Sequence, residues 1–199
     1  MLSWSNYVAL GDSLTAGRDD PGPGGVRIGW AQRLAGILSA RTTVPCALTN
    51  LAADGASVTA VLEEQLGPAG RLVPDLVSVT VGMNDIRDPG FREDRFGDEL
   101  GRLLDGLVLT GATVLTCTLP NIAEILPLPA GLVALARQRM QGASDVIRKQ
   151  AAAHRALCLD AWSMPAAADP ELFGADRIHP NASGHQLMAT LCADLLLAS

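Results

Sequence analysis

Hydrophobic positions along the chain fall into two kinds of run. Residues 7–10, 46–51, 76–81, 113–118 and 156–160 are short and nearly continuously apolar, with many β-branched residues. Continuous rather than alternating apolar character predicts strands covered on both faces, as in a parallel sheet. Between them the period lengthens. Val58, Val61, Leu62 and Leu66 recur at helical spacing, and so do Leu100, Leu103, Leu104 and Leu107. Helices are predicted over 30–40, 57–66, 98–109, 132–154 and 182–197. In the last of these Leu187, Met188, Leu191, Cys192, Leu195 and Leu196 form a stripe that reads as core. Strands alternating with helices are the signature of an α/β domain built from βαβ units.

Two segments break the pattern. Residues 18–29 contain Asp-Asp-Pro-Gly-Pro-Gly-Gly, and residues 119–131 hold Pro120, Pro127 and Pro129 among apolar residues including Ile122, Ile125, Leu126 and Leu128. Proline and glycine exclude regular helix there, so both read as loops. Each follows the carboxyl end of a strand, the edge of an open α/β sheet where ligands bind.

Composition narrows the class. With 199 residues, 48% of them hydrophobic, the chain makes one full core, and residues 1–199 read as a single domain. The net charge of −6 argues against nucleic acid, which selects a basic surface. No apolar run reaches the roughly 18 residues of a membrane span. The first apolar run is too short for a signal peptide, so the chain reads as cytoplasmic or as a mature form whose leader was removed. Lys149 is the single lysine among 15 basic residues, which points to a GC-rich, bacterial origin. Cys46, Cys117, Cys158 and Cys192 lack metal-ligand spacing and read as buried small hydrophobes. Oligomeric state is not legible.

In a parallel sheet all strand-to-helix turns emerge at one edge, so residues distant in sequence meet there. The first turn offers Ser13 within Gly-Asp-Ser-Leu-Thr-Ala-Gly. The second offers Gly55, the third Asn84 within Gly-Met-Asn-Asp, and the stretch before the last helix Asp176 and His179 within Asp-Arg-Ile-His-Pro. Each has an ordinary reading: Ser13 as a helix cap, Gly55, Asn84 and Asp85 as turn residues, Asp176 and His179 as a loop ion pair.

Taken together and in this order, the four segments resemble the blocks of the SGNH or GDSL family of serine esterases and acylhydrolases. The resemblance runs from about residue 7 to the end. It implies a three-layer α/β/α sandwich with a five-stranded parallel sheet in the flavodoxin-like order 2-1-3-4-5. It further implies Ser13 as nucleophile, His179 as base, Asp176 as orienter, and the Ser13 N–H, Gly55 N–H and Asn84 amide as oxyanion donors. Asp54 is a departure, because the family more often has a small residue before that glycine. Its carboxylate would narrow or acidify the site while leaving the Gly55 N–H available.

Ester cleavage needs a nucleophile, a base and donors for the developing oxyanion, and the implied set supplies one of each. Asp12 is expected to order the turn presenting Ser13, and Asp85 the turn around Asn84. His185 lacks an Asp three residues before it and ranks below His179 as a base. Ile122, Ile125 and Leu126 would line an acyl wall suited to short or medium chains. The three histidines show no metal-binding spacing, so neither metal nor cofactor is expected and activity should survive a chelator. The expected substrate is a small-molecule acyl ester or thioester. An acyltransferase or tailoring thioesterase would use the same triad, and a flavodoxin-like ligand-binding module would use the same fold without catalysis.

Overall fold

Alternation along the strands decides the layering. In β1 (Asn6–Gly11) Val8 and Leu10 point to one face while Tyr7 and Ala9 point to the other. The computed structural model of the protein describes residues 3–199, so the first two positions of the expected 1–199 domain lie outside the described residues. After β1 come α1 (Gly29–Arg41) and β2 (Ala47–Asn50). Helix α2 begins at Val58–Ala60, passes through a π-helical turn at Val61–Gln65 and continues as Leu66–Arg71. Then follow β3 (Leu76–Thr80), the short α3 (Met83–Arg87), α4 (Glu93–Val108) and β4 (Thr113–Cys117). The chain closes with α5 (Ala130–Ala153), β5 (Leu157–Leu159), three 3₁₀ turns and α6 (Ala182–Leu197).

The sheet is five-stranded and parallel, in the order β2-β1-β3-β4-β5. Tyr7 pairs with Leu76 and Gly11 with Thr80, so the ends of β1 and β3 lie side by side. On one face Val8, Leu10, Val77, Val79 and Val114 pack under α2, α4 and α5; on the other Tyr7, Ala9, Leu76 and Leu115 pack under α1 and α6. This is the expected three-layer sandwich. Leu100, Leu103, Leu104 and Leu107 are fully buried, and each such side chain contributes roughly 1.5–3 kcal/mol. All four cysteines are free; Cys158 is half-buried and the others buried.

The differences from the predicted elements have local causes. Helix α2 runs past Pro68 to Arg71, because a proline without an N–H is accommodated just after the widened π turn. Helix α4 starts at Glu93, ahead of the leucine pattern, since Phe96 and Gly97 already face the core. The edge strand β2 is exposed at both ends, unlike the strands covered on both faces. The 18–29 loop folds on itself through a bridge between Pro21 and Arg27 and a 3₁₀ turn at Pro23–Gly25.

Candidate active site

The end of β1 can be built only with glycine. Gly11 has φ +139°, and a Cβ there would lie 2.4 Å from the Thr80 carbonyl oxygen. With no bulk at that point the chain turns sharply out of the sheet, and Ser13 follows two residues later. Asp12 braces the turn: its Oδ1 accepts from the Leu14 N–H at 3.0 Å. From outside the turn, the Gln65 side chain accepts from the Gly11 N–H at 2.8 Å and donates to the Gly11 carbonyl at 2.9 Å. Asn50 Nδ2 donates to the Thr15 carbonyl at 2.7 Å. Fully buried His185 accepts from the Trp30 N–H at 3.2 Å and donates to the Arg18 carbonyl at 2.9 Å. His185 is therefore a structural tie between α1, α6 and the Ser13 turn, with burial holding its pKa below the ordinary value.

The opposite wall is a loop closed by a bridge between Phe173 and Pro180. The Gly174 N–H donates to the His179 carbonyl at 2.8 Å, and Asn181 caps α6 by accepting from the Ser183 and Gly184 N–H groups. Asp176 Oδ1 accepts from the backbone N–H groups of Ile178 and His179, and its Oδ2 accepts from His179 Nδ1–H at 2.6 Å. A carboxylate only accepts, so Nε2 keeps its lone pair and takes the Ser13 Oγ–H at 2.8 Å. Burial opposes ionisation of Asp176, but the donors from His179 and Ile178 outweigh it and hold the pKa at about 2.

Ser13 and Gly55 each carry a backbone N–H with no acceptor among the described residues. Gly55 sits at φ +81°, a backbone shape that glycine adopts without strain. Asn84 Nδ2 donates to the Ala56 carbonyl at 3.1 Å and reaches Asp12 Oδ2 at a longer 3.3 Å. Helix α3, which carries Asn84, starts after Gly82 at φ +119° and replaces the simple turn expected there. Asp12 is buried, which pushes its pKa up to about 6 against the Leu14 N–H and the His179 charge. Asp85 does more than order its own turn. Its carboxylate accepts from the Val58 N–H at 3.0 Å, tying α3 to the start of α2.

A cavity of about 190 Å³ opens over these groups, with Ser13, Gly55, Asn84 and His179 in its wall. Its apolar lining differs from the expected one. Ile122 is fully buried in the core beneath α5, with Ile125 and Leu126 packed against the same cluster, and none of the three lines the cavity. The cause is a tight turn in which the Ile122 carbonyl accepts from the Ile125 and Leu126 N–H groups, folding the segment inward. The lining instead includes Leu187, Met188 and Leu191 of α6 with Met164 and Ala167 from the 3₁₀ turns. These α6 residues are half-buried, while Ala189, Cys192, Ala193 and Leu196 take the core side. Helix α6 is apolar over two adjacent faces, wider than one core contact needs, and that width was the available signal.

One group of potential metal ligands occurs among the described residues: Asp19, Asp176 and His179 place ligand atoms within 4.8 Å of one another. Asp176 already accepts three hydrogen bonds in this arrangement, two from backbone and one from the imidazole. Asp19 stands beside this hydrogen-bonded pair as an exposed carboxylate. No described helix is long and apolar enough to cross a membrane.

The model of the GDSL-like lipase/acylhydrolase family matches residues 9–187. The chain belongs to this family. It is thus an enzyme of the esterase and acylhydrolase class. No curated protein matches it. Among solved structures, the chain is similar to an α/β hydrolase, LAE5, from the Lake Arreo metagenome, at 25% identity and TM-score 0.76, covering 100% of this chain and 95% of that one. An acetylxylan esterase, Axe2, from Geobacillus stearothermophilus is 20% identical at TM-score 0.75, covering 98% and 94%. Esterase EstA from a Pseudoalteromonas species, inhibited by monoethylphosphonate, is 18% identical at TM-score 0.74, covering 98% and 97%. At these low identities the structures establish a shared fold, and membership in the GDSL-like family rests on the family model.

Proposed function

We propose that this GDSL-like acylhydrolase cleaves carboxylic esters or thioesters of small or short-to-medium-chain acyl groups through an acyl-enzyme on Ser13. The observation that carries the reading is the continuous hydrogen-bond chain Ser13 Oγ to His179 Nε2 at 2.8 Å and His179 Nδ1 to Asp176 at 2.6 Å. Ser13 Oγ attacks the carbonyl carbon while His179 takes its proton, and Asp176 holds the imidazole in the tautomer that allows this. His179 then gives the proton to the leaving alcohol or thiol. Water repeats the sequence to release the acid and restore Ser13.

The free N–H groups of Ser13 and Gly55 and the Asn84 amide are the donors for the oxyanion. The long Asn84–Asp12 contact is the one that yields to it, since the Ala56 carbonyl keeps the other amide hydrogen. The half-buried side chains of Leu187, Met188 and Leu191 support an acyl group lying toward α6.

Hydrolysis of 4-nitrophenyl esters of increasing acyl length tests the reading in wild type, Ser13→Ala and His179→Ala, each checked for folding. Activity that disappears in both folded variants supports it. Undiminished turnover in folded Ser13→Ala would refute it.

A further inference from the structure

Although the chain carries a net charge of −6, the charged side chains that line the cavity include two arginines, Arg18 and Arg87, and a single carboxylate, Asp12. Asp12 is buried at the foot of the cavity, occupied by the Leu14 N–H and the Asn84 amide. The arginines are exposed at its mouth.

Their ordinary partners are engaged elsewhere. Asp54, the acid nearest Arg18, is held by Arg27, whose Nη1 and Nη2 donate to its two oxygens at 2.6 and 3.0 Å. Arg18 keeps only a 3.9 Å approach to Asp54. Arg87 forms neither a salt bridge nor a side-chain hydrogen bond among the described residues, and Asp85, two positions before it and so on a different side of α3, is taken by the Val58 N–H. Both cations belong to the end of the cavity that holds the oxyanion donors. Arg18 reaches the residue preceding Gly55, and Arg87 follows Asn84 by three positions, on the same side of α3.

We infer that Arg18 and Arg87 recognise an anionic oxyacid group, a carboxylate or a phosphate, on the alcohol or thiol portion of the substrate. The inference rests on the ester-cleaving reading of Ser13. A guanidinium presents paired N–H donors that match two oxygens of such a group, and an uncommitted one at a cavity mouth discriminates charge without touching the reacting atoms. Asp54 also gains a role here: with Arg27 neutralising it, the acid that departs from the family pattern does not repel an incoming anion.

The test uses n-propyl butyrate, its analogue ending in a carboxylate and its analogue ending in a phosphate, with released butyrate measured at low ionic strength. Wild type is expected to favour one or both anionic esters by roughly tenfold in kcat/KM, the scale of partly exposed ion pairs. The double variant Arg18→Ala, Arg87→Ala is expected to lose that preference while cleaving n-propyl butyrate at the wild-type rate. Comparing the two anionic esters identifies which oxyacid is recognised. Equal kcat/KM for neutral and anionic esters in wild type, or a preference surviving in the double variant, would overturn the inference. A binding arm separates this result from the catalytic reading. In Ser13→Ala, calorimetry with both anionic esters should detect binding that the two arginine substitutions remove. Absence of binding alongside intact hydrolysis of the neutral ester by wild type sinks the anion site and leaves the serine mechanism standing.

Discussion

The two walls of the cavity are held by different means. The Ser13 turn is fixed from far away in sequence, by Gln65 and Thr80 through buried hydrogen bonds and by Asn50 and His185 through partly buried ones. The His179 loop is fixed almost entirely from within: Asp176, Gly174, Leu172 and Asn181 all bond to neighbours no more than ten positions away. Ser13, at the root of the sheet, inherits the rigidity of the core. His179, which the proposed mechanism asks to accept and return a proton, sits in a local loop and has its ring held by one short carboxylate contact. Disturbing the first wall is therefore expected to cost mainly stability, and disturbing the second mainly turnover.

The largest effect belongs to the second wall. Asp176→Asn keeps the loop bonds in outline but no longer enforces Nδ1–H, and kcat is expected to fall about ten-thousand-fold. Thermal melting should fall modestly, because the variant also loses the ionised acceptor of three hydrogen bonds. A large loss of stability with modest loss of kcat would reverse the assignment of roles.

Next is Asp12, on the first wall. The folded state holds a proton on Asp12 up to about pH 6, whereas the unfolded chain releases it near the ordinary carboxylate value, so stability falls as pH rises between these limits. The shift corresponds to about 3 kcal/mol, an order-of-magnitude figure. Asp12→Asn should remove that dependence when urea unfolding is compared at both ends of the window. Asp176 has the opposite sign: with a folded pKa of about 2, its contribution is present above the ordinary carboxylate value and is lost only as pH falls toward 2.

Gln65→Leu comes third. It strips the partner from the buried Gly11 N–H, while the Gly11 carbonyl keeps the Ala53 N–H at 3.1 Å. One orphaned buried donor costs about 1–3 kcal/mol, to be read as a lower denaturation midpoint. The smallest effect is at the surface. Arg27→Ala breaks an exposed pair with Asp54 and should change stability by no more than about 1 kcal/mol, less in high salt.

What the sequence disclosed and what it hid follow the same division. The parallel sheet and the edge where Ser13, Gly55, Asn84 and the Asp176–His179 pair come together were legible, because apolar runs and strand-end turns are local patterns, whereas the strand order followed only from the family resemblance. Ser13 and His179 lie 166 positions apart and meet at hydrogen-bond distance. Gln65 was hidden, since a lone glutamine in an amphipathic helix carries no mark of its distant partner, and the π turn that contains it has no simple signature. Ile122 belongs to the core and not to the expected acyl wall, because the surrounding prolines announce a loop without telling which way it folds. Met188 and Leu191 pack against the core as their stripe predicts and also line the cavity with Leu187, a second role that hydrophobicity alone does not reveal. Asp54 was read as an acid facing the site, and only the fold revealed Arg27 beside it.

The most direct test of the central claim is to trap the covalent intermediate. Wild type and Ser13→Ala would be quenched during turnover of a slowly deacylated 4-nitrophenyl ester, digested and examined by mass spectrometry. The acyl mass is expected on the peptide containing Ser13 in wild type, with no acylation in Ser13→Ala. Steady turnover by wild type with the acyl group on another residue, or with hydrolysis unimpaired in folded Ser13→Ala, would contradict it.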